Sequence, residues 1–97
     1  MPSYRVSAAV GLLQPGTDAA QVLPEAVAVA EQRVVVEAFD LAVVRGEARV
    51  TLRFDAPDDQ TARQVGWGVL ARLDELADIS GRQVTRRWGA RWLPLRA

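Results

Sequence analysis

The chain has 97 residues, 49% of them hydrophobic and 25% charged, with twelve arginines, no lysine and twelve acids giving a net charge of zero. That length makes one domain, residues 1–97, with a real core. The absence of cysteine excludes disulfides and thiolate chemistry, and the absence of histidine removes the commonest general base and metal ligand. No apolar run approaches the roughly 20 residues of a membrane span. The opening MPSYRVSAAV lacks the charged and apolar regions of a signal peptide, so the expected setting is the cytoplasm.

Tyr4, Val6, Ala8, Val10 and Leu12 alternate with Arg5, Ser7, Ala9 and Gly11, a period of two that predicts a half-buried strand ending near Pro15-Gly16-Thr17. Thr17 or Asp18 can cap the next helix, and Asp18 with Gln21 fits a capping box. Pro24 favours a first helical turn over an interior. The expectation is a short turn over 18–22 followed by a helix from about Pro24, or one kinked helix. Its apolar stripe would be Leu23, Ala26, Val27 and Ala30.

The run Val34–Val44 is apolar on both parities, which predicts a strand covered on both faces or bulged near Asp40. Its outward face is a candidate contact surface. Arg45-Gly46 then joins it in a hairpin to a second alternating strand, in which Ala48, Val50, Leu52 and Phe54 face inward. Ala56-Pro57-Asp58-Asp59 leads into a helix capped by Asp58, with Ala62, Val65, Val69, Leu73 and Leu76 on its core face. Gly66 and Gly68 each cost that helix ~1 kcal/mol against alanine, so each calls for a close approach to a sheet or neighbour. Trp67 falls opposite the core face, either as an aromatic anchor for a partner or as a ring lying over the helix surface. Ser80-Gly81 is expected to break the chain. From Arg82 onward a single strand would place Val84, Trp88, Ala90 and Trp92 on one face and Thr85, Arg87, Gly89 and Arg91 on the other, ending at Pro94.

The order strand, helix, strand, strand, helix, strand resembles the α+β ferredoxin-like βαββαβ sandwich. The resemblance spans the whole chain and is architectural. It implies a four-stranded antiparallel sheet with the first and third strands central, both helices on one face and the other face open. It carries over no functional residue.

The search for chemistry yields no phosphate-cradling loop, no metal-ligand spacing and no nucleophile elbow, so no catalytic residue, cofactor or metal is expected. Asp58-Asp59 and Asp74-Glu75 are adjacent acids whose side chains diverge on a helix, as capping and solvated residues do. Glu37 and Asp40 would be proton acceptors if buried and ordinary edge residues if exposed. Residues 80–97 hold five arginines and no acid, against seven arginines and twelve acids before them. This basic end would pair with the acidic body or bind a partner.

The segment RRWGARW can pair phosphates and stack bases, which makes a nucleic-acid-binding domain one alternative. A small-ligand or enzymatic dimeric ferredoxin-like domain is another. The favoured reading is a non-enzymatic assembly or binding module acting through protein–protein contacts, most simply as a homodimer. Its candidate partner-binding residues are Trp67, Arg87, Arg91 and Trp92, with Arg5, Arg49 and Arg53 on the open sheet face.

Overall fold

Five strands and two helices form in the computed structural model of this protein, which describes residues 1–96. Strand β1 (Ser3–Leu13) leads into helix α1 (Ala19–Ala30). Strands β2 (Val36–Val44) and β3 (Glu47–Asp55) follow, then helix α2 (Asp59–Leu76). Strands β4 (Ala77–Trp88) and β5 (Arg91–Pro94) close the chain. All neighbours in the sheet are antiparallel, in the order β2-β3-β1-β4-β5. β1 is therefore central, and the two helical connections cross over in interlocking fashion, α1 over β3 and α2 over β1.

The alternating runs decide the layers. Tyr4, Val6 and Ala8 of β1 face Phe54, Leu52 and Val50 of β3 across the ladder, and all six are buried. Val84 of β4 extends this floor opposite Val6. Upon it α2 lays Ala62, Val65, Gly66, Val69, Leu70, Leu73 and Leu76, and α1 lays Val22, Ala26 and Ala30. Val22 replaces Leu23 as the buried residue of the first turns; Leu23 and Val27 pack only at the margin.

Local chemistry sets the boundaries. Asp18 Oδ1 accepts from the Ala20 N–H and Gln21 Oε1 from the Asp18 N–H, both at 3.0 Å. This capping box starts α1 at Ala19 and carries Pro24 inside the helix, so the helix does not begin at the proline. Arg45 and Gly46 have φ of 54° and 81°, the paired positive values of the turn whose twist matches a two-residue hairpin.

The two helical glycines have different neighbours. A Cβ on Gly66 would lie 2.6 Å from Val84 Cγ2, so the helix descends onto the sheet at a residue that has no side chain. One on Gly68 would meet Val29 Cγ1 of α1 at 3.6 Å, an ordinary contact.

Three expectations need correction. The sheet has five strands where four were anticipated, because the chain reverses after Trp88 instead of running on to Pro94. Gly89, with φ of 60°, opens that turn. Ser80-Gly81 does not break the chain: α2 passes directly into β4, and Gly81, with φ of 58°, sits within the strand at a register shift against β1. Finally, β2 is not covered on both faces: one side is open and the helix side is only half-covered. It is an edge strand, and its bulge lies between Val36 and Ala38, at Glu37, not at Asp40.

Candidate functional site

The surface offers two regions, the open sheet face and the free edge at β2. On the open face Arg5 and Arg53 are paired across β1 and β3, and Arg49 lies two pairs further along. The hairpin at Gly89 changes what joins them. Trp88 faces Arg91 across the β4–β5 ladder, and Arg87 faces Trp92. Facing residues share a side of the sheet, so the turn separates two tryptophans that simple alternation would place together.

Trp92 lands on the open face, with the Arg5 guanidinium 4.0 Å from its ring centroid and that of Arg53 at 5.8 Å. Arg87 shares that face and donates from Nε to the Gly89 carbonyl at 2.8 Å. Trp88 lies on the helix side and is 53% exposed, its ring covered by Arg86 at 3.9 Å. The shared faces expected for Trp88 with Trp92 and for Arg87 with Arg91 are therefore both corrected. Trp67 stands on the outer surface of α2, apart from the others and partly exposed.

Acids interrupt the positive charge of the open face. Glu37 Oε2 lies 3.6 Å from Arg53 Nε. A hydrogen bond to Asp55 holds the Glu37 carboxyl above its ordinary range, while Ser3, donating to Asp55 Oδ1 at 2.8 Å, and Glu37 hold Asp55 below it. Asp40 faces Thr51 on the same side. Both Glu37 and Asp40 are exposed edge residues, so neither meets the burial condition set for a proton acceptor. Among the described residues no carboxylate lies within ion-pair distance of Arg5, Arg49, Arg87 or Arg91, whereas Arg82 pairs with Asp74 and Arg86 with Asp59, at 2.9 and 2.8 Å.

Asp59 is the functional-looking residue that sequence reasoning passed over as solvated. Its Oδ1 accepts from the Tyr4 hydroxyl at 2.7 Å as well as from Arg86 Nη1. Burial first, and the Asp59 hydrogen bond second, push the Tyr4 phenol up to about 12, and the same bonds hold Asp59 below the ordinary carboxylate range. Tyr4 at an inward parity of β1 was the available signal, since a buried phenol usually finds a hydrogen-bond partner. The cluster ties β1, β4 and the start of α2 together, and a phenol held protonated suits a structural donor.

At the β2 edge the pattern is apolar. Phe39, Leu41 and Val43 face Leu52, Val50 and Ala48 of β3 and so lie on the helix side. Yet they are 57%, 46% and 76% exposed, because α1 does not extend over them. Phe39 forms one wall of a shallow groove with Leu23, Pro24, Val27 and Ala28 of α1 and with Glu31, the residue that follows the helix. Ala38, Asp40, Ala42 and Val44 occupy the other side of the strand. The opposite edge is of a different kind: β5 has four residues, carries Arg91 and ends at Pro94.

Among the described residues no helix is long and apolar enough to cross a membrane, and no group of three or more acids is placed to hold a metal ion. No family model, curated protein or solved structure matches the chain, so its own surface chemistry carries the functional argument.

Proposed function

We propose that this chain is a non-enzymatic assembly module, ferredoxin-like in its first six elements with an added edge strand, that acts through protein–protein contact and joins copies of itself. The observation that carries the reading is β2: a nine-residue edge strand with Phe39, Leu41 and Val43 exposed on one side. A long, apolar, unpaired edge is a template for pairing with another chain, and monomeric proteins blunt such edges with short strands, charge or proline. β5 has those protections. β2 contains no basic residue and no proline, and its two acids, Glu37 and Asp40, lie on the open-face side and leave the apolar stripe uncharged.

Light scattering at micromolar concentration tests the reading. The expected mass is at least twice the 10.6 kDa of the chain. Leu41→Lys, which sets a charge in the stripe but leaves the core untouched, should return it to a single chain. A wild-type mass of one chain throughout would overturn the reading.

The Trp92 constellation favours a second reading, a single-stranded nucleic-acid surface in which Arg5, Arg49, Arg53 and Arg87 meet phosphates. It ranks lower because Arg5 already covers the Trp92 ring, and Glu37, Asp40 and Asp55 share the face. Oligonucleotide binding that weakens steeply with salt and is lost in Trp92→Ala would raise it.

A further inference from the structure

We propose that a second copy of this chain pairs antiparallel along the free edge of β2 with the two-fold axis at Leu41, extending the sheet across both copies. The inference rests on the assembly reading and goes beyond it by assigning the interface and its register.

In an antiparallel pair the residues that face each other share a side of the sheet. A two-fold self-pairing therefore sets one residue opposite its own copy, and each choice of that residue fixes all the other pairs. Five choices, from Phe39 to Val43, place the axis within the stripe, and their consequences differ. With Asp40 on the axis two carboxylates face each other, and directly opposed like charges destabilise a ladder. With Phe39 on the axis the bulge at Glu37 falls opposite Leu41, where the extra residue breaks the hydrogen-bond pattern. With Ala42 or Val43 on the axis, Phe39 or Leu41 respectively faces Arg45 of the second copy, which is already in the turn and off the edge.

With Leu41 on the axis these conflicts disappear. Phe39 faces Val43 of the second copy, Asp40 faces Ala42, and Ala38 faces Val44. At each end Arg45 comes beside Glu37 of the second copy, opposite charges at the rim of the ladder.

The backbone selects the same residue independently. Between the bulge at Glu37 and the turn at Arg45 the β2–β3 register runs unbroken from Ala38 to Val44, and Leu41 is the midpoint of that stretch. Phe39, Leu41 and Val43 of both copies then form one continuous apolar strip on the helix side. The strip is flanked in each copy by Leu23 and Val27, which line the groove beside Phe39. Burying these side chains supplies the driving force. The open faces, with Trp92 and its arginines, remain uncovered.

The chain has no cysteine, so single-cysteine variants of the 97-residue chain report the register directly. Facing residues have Cα atoms about 4.5–5.5 Å apart, within the span of a disulfide. In the proposed register Leu41→Cys sits at that distance from its copy. Ala42→Cys lies about 8 Å from its copy and Phe39→Cys farther still, given a rise near 3.4 Å per residue. Under mild oxidation Leu41→Cys should form a disulfide-linked dimer at least about tenfold faster than Val35→Cys, an exposed collision control outside the ladder, because pairing raises the local thiol concentration toward the millimolar range. Mixing Phe39→Cys with Val43→Cys should give the mixed disulfide ahead of either homodimer.

Preferential cross-linking of Phe39→Cys or Ala42→Cys with itself would overturn the register. A two-chain mass with no enhanced cross-linking at Phe39→Cys, Leu41→Cys or Ala42→Cys would overturn the β2 edge as the interface while leaving self-assembly standing. A one-chain mass for the wild type would overturn both.

Discussion

At the residue scale, single side chains decide whether neighbouring elements touch. Gly66 and Gly68 are two residues apart on one helix, and both look like defects by propensity alone. Their surroundings predict opposite signs. Gly66→Ala gains ~1 kcal/mol of helix propensity but drives a methyl to within 2.6 and 2.9 Å of the two Val84 methyls. Valine is stiff at χ1, and overpacking of this kind costs ~1–3 kcal/mol. Net destabilisation is expected. Gly68→Ala meets only Val29 Cγ1, at 3.6 Å, so it should stabilise by up to ~1 kcal/mol. Urea melts of the two variants check the pair, and equal effects would contradict the close approach of α2 to β4.

Tyr4 gives a second residue-scale prediction, because it is the only tyrosine in the chain. Its phenolate absorbance should appear near pH 12 in the folded protein, from burial and the Asp59 hydrogen bond, and near pH 10 in urea. Asp59→Asn should move the folded value part of the way down. A folded pKa above the unfolded one contributes stability that is present below about pH 10 and is lost as pH rises toward the folded value. Asp59 acts at the other end. Its folded pKa is depressed, so its contribution is present above about pH 4 and is lost as the carboxylate takes up a proton below that. Titration of Tyr4 at pH 10 in the folded protein would contradict its burial.

At the element scale, periodicity made most of the fold legible and turns hid the rest. The parities of β3, of β1 as far as Val10 and of the core face of α2 stand as the residue pattern predicts, since one buried face imposes a single spacing along each. Past the register shift at the end of β1, Leu12 is exposed and Leu13 packs against the core in its place. The last segment misled because Trp88, Ala90 and Trp92 continue one parity straight through a reversal. A two-residue turn sets Trp88 opposite Arg91, and that inverts the face of everything after it. Gly89 between two aromatic strand residues was the signal. The acids were misjudged for a related reason: Asp59 looks like a solvated helix start until β1 and β4 bring Tyr4 and Arg86 to it, and those contacts span 55 and 27 residues.

The hairpin also sorts the basic end into parts with different jobs. β4 carries buried Val84 and the Arg86 that pairs with Asp59, whereas β5 adds only an edge. Ending the chain at Gly81 should therefore unfold the protein. Ending it at Trp88 should leave it folded but weakened, because Leu95 still contributes packing against the core and donates its N–H to the Val84 carbonyl at 2.8 Å. Circular dichroism of the two truncated chains separates the cases, and unfolding of both would show that β5 belongs to the folding core.

At the scale of the whole molecule, the apolar surface is unevenly divided. The helix side of β1 and β3 is buried, while that of β2 is half-covered and ends in a groove beside α1. This imbalance links stability to assembly. If copies join through β2, the native state is favoured by mass action and the melting temperature depends on protein concentration. For a chain of this length ~1 kcal/mol corresponds to roughly 4–8 °C. Raising the concentration a hundredfold across the range where dimers form supplies up to ~1.4 kcal/mol per chain, since each tenfold change is worth ~1.4 kcal/mol and is shared between two chains. The wild type should therefore melt about 5–10 °C higher at the top of that range than at the bottom. Leu41→Lys should melt at one temperature throughout, close to the wild-type value at high dilution, because Leu41 is 46% exposed in the single chain and lies outside its buried core. A concentration-independent melt of the wild type would place the apolar edge outside the folding equilibrium. A Leu41→Lys variant melting far below the diluted wild type would show that Leu41 stabilises the single chain instead of the pair.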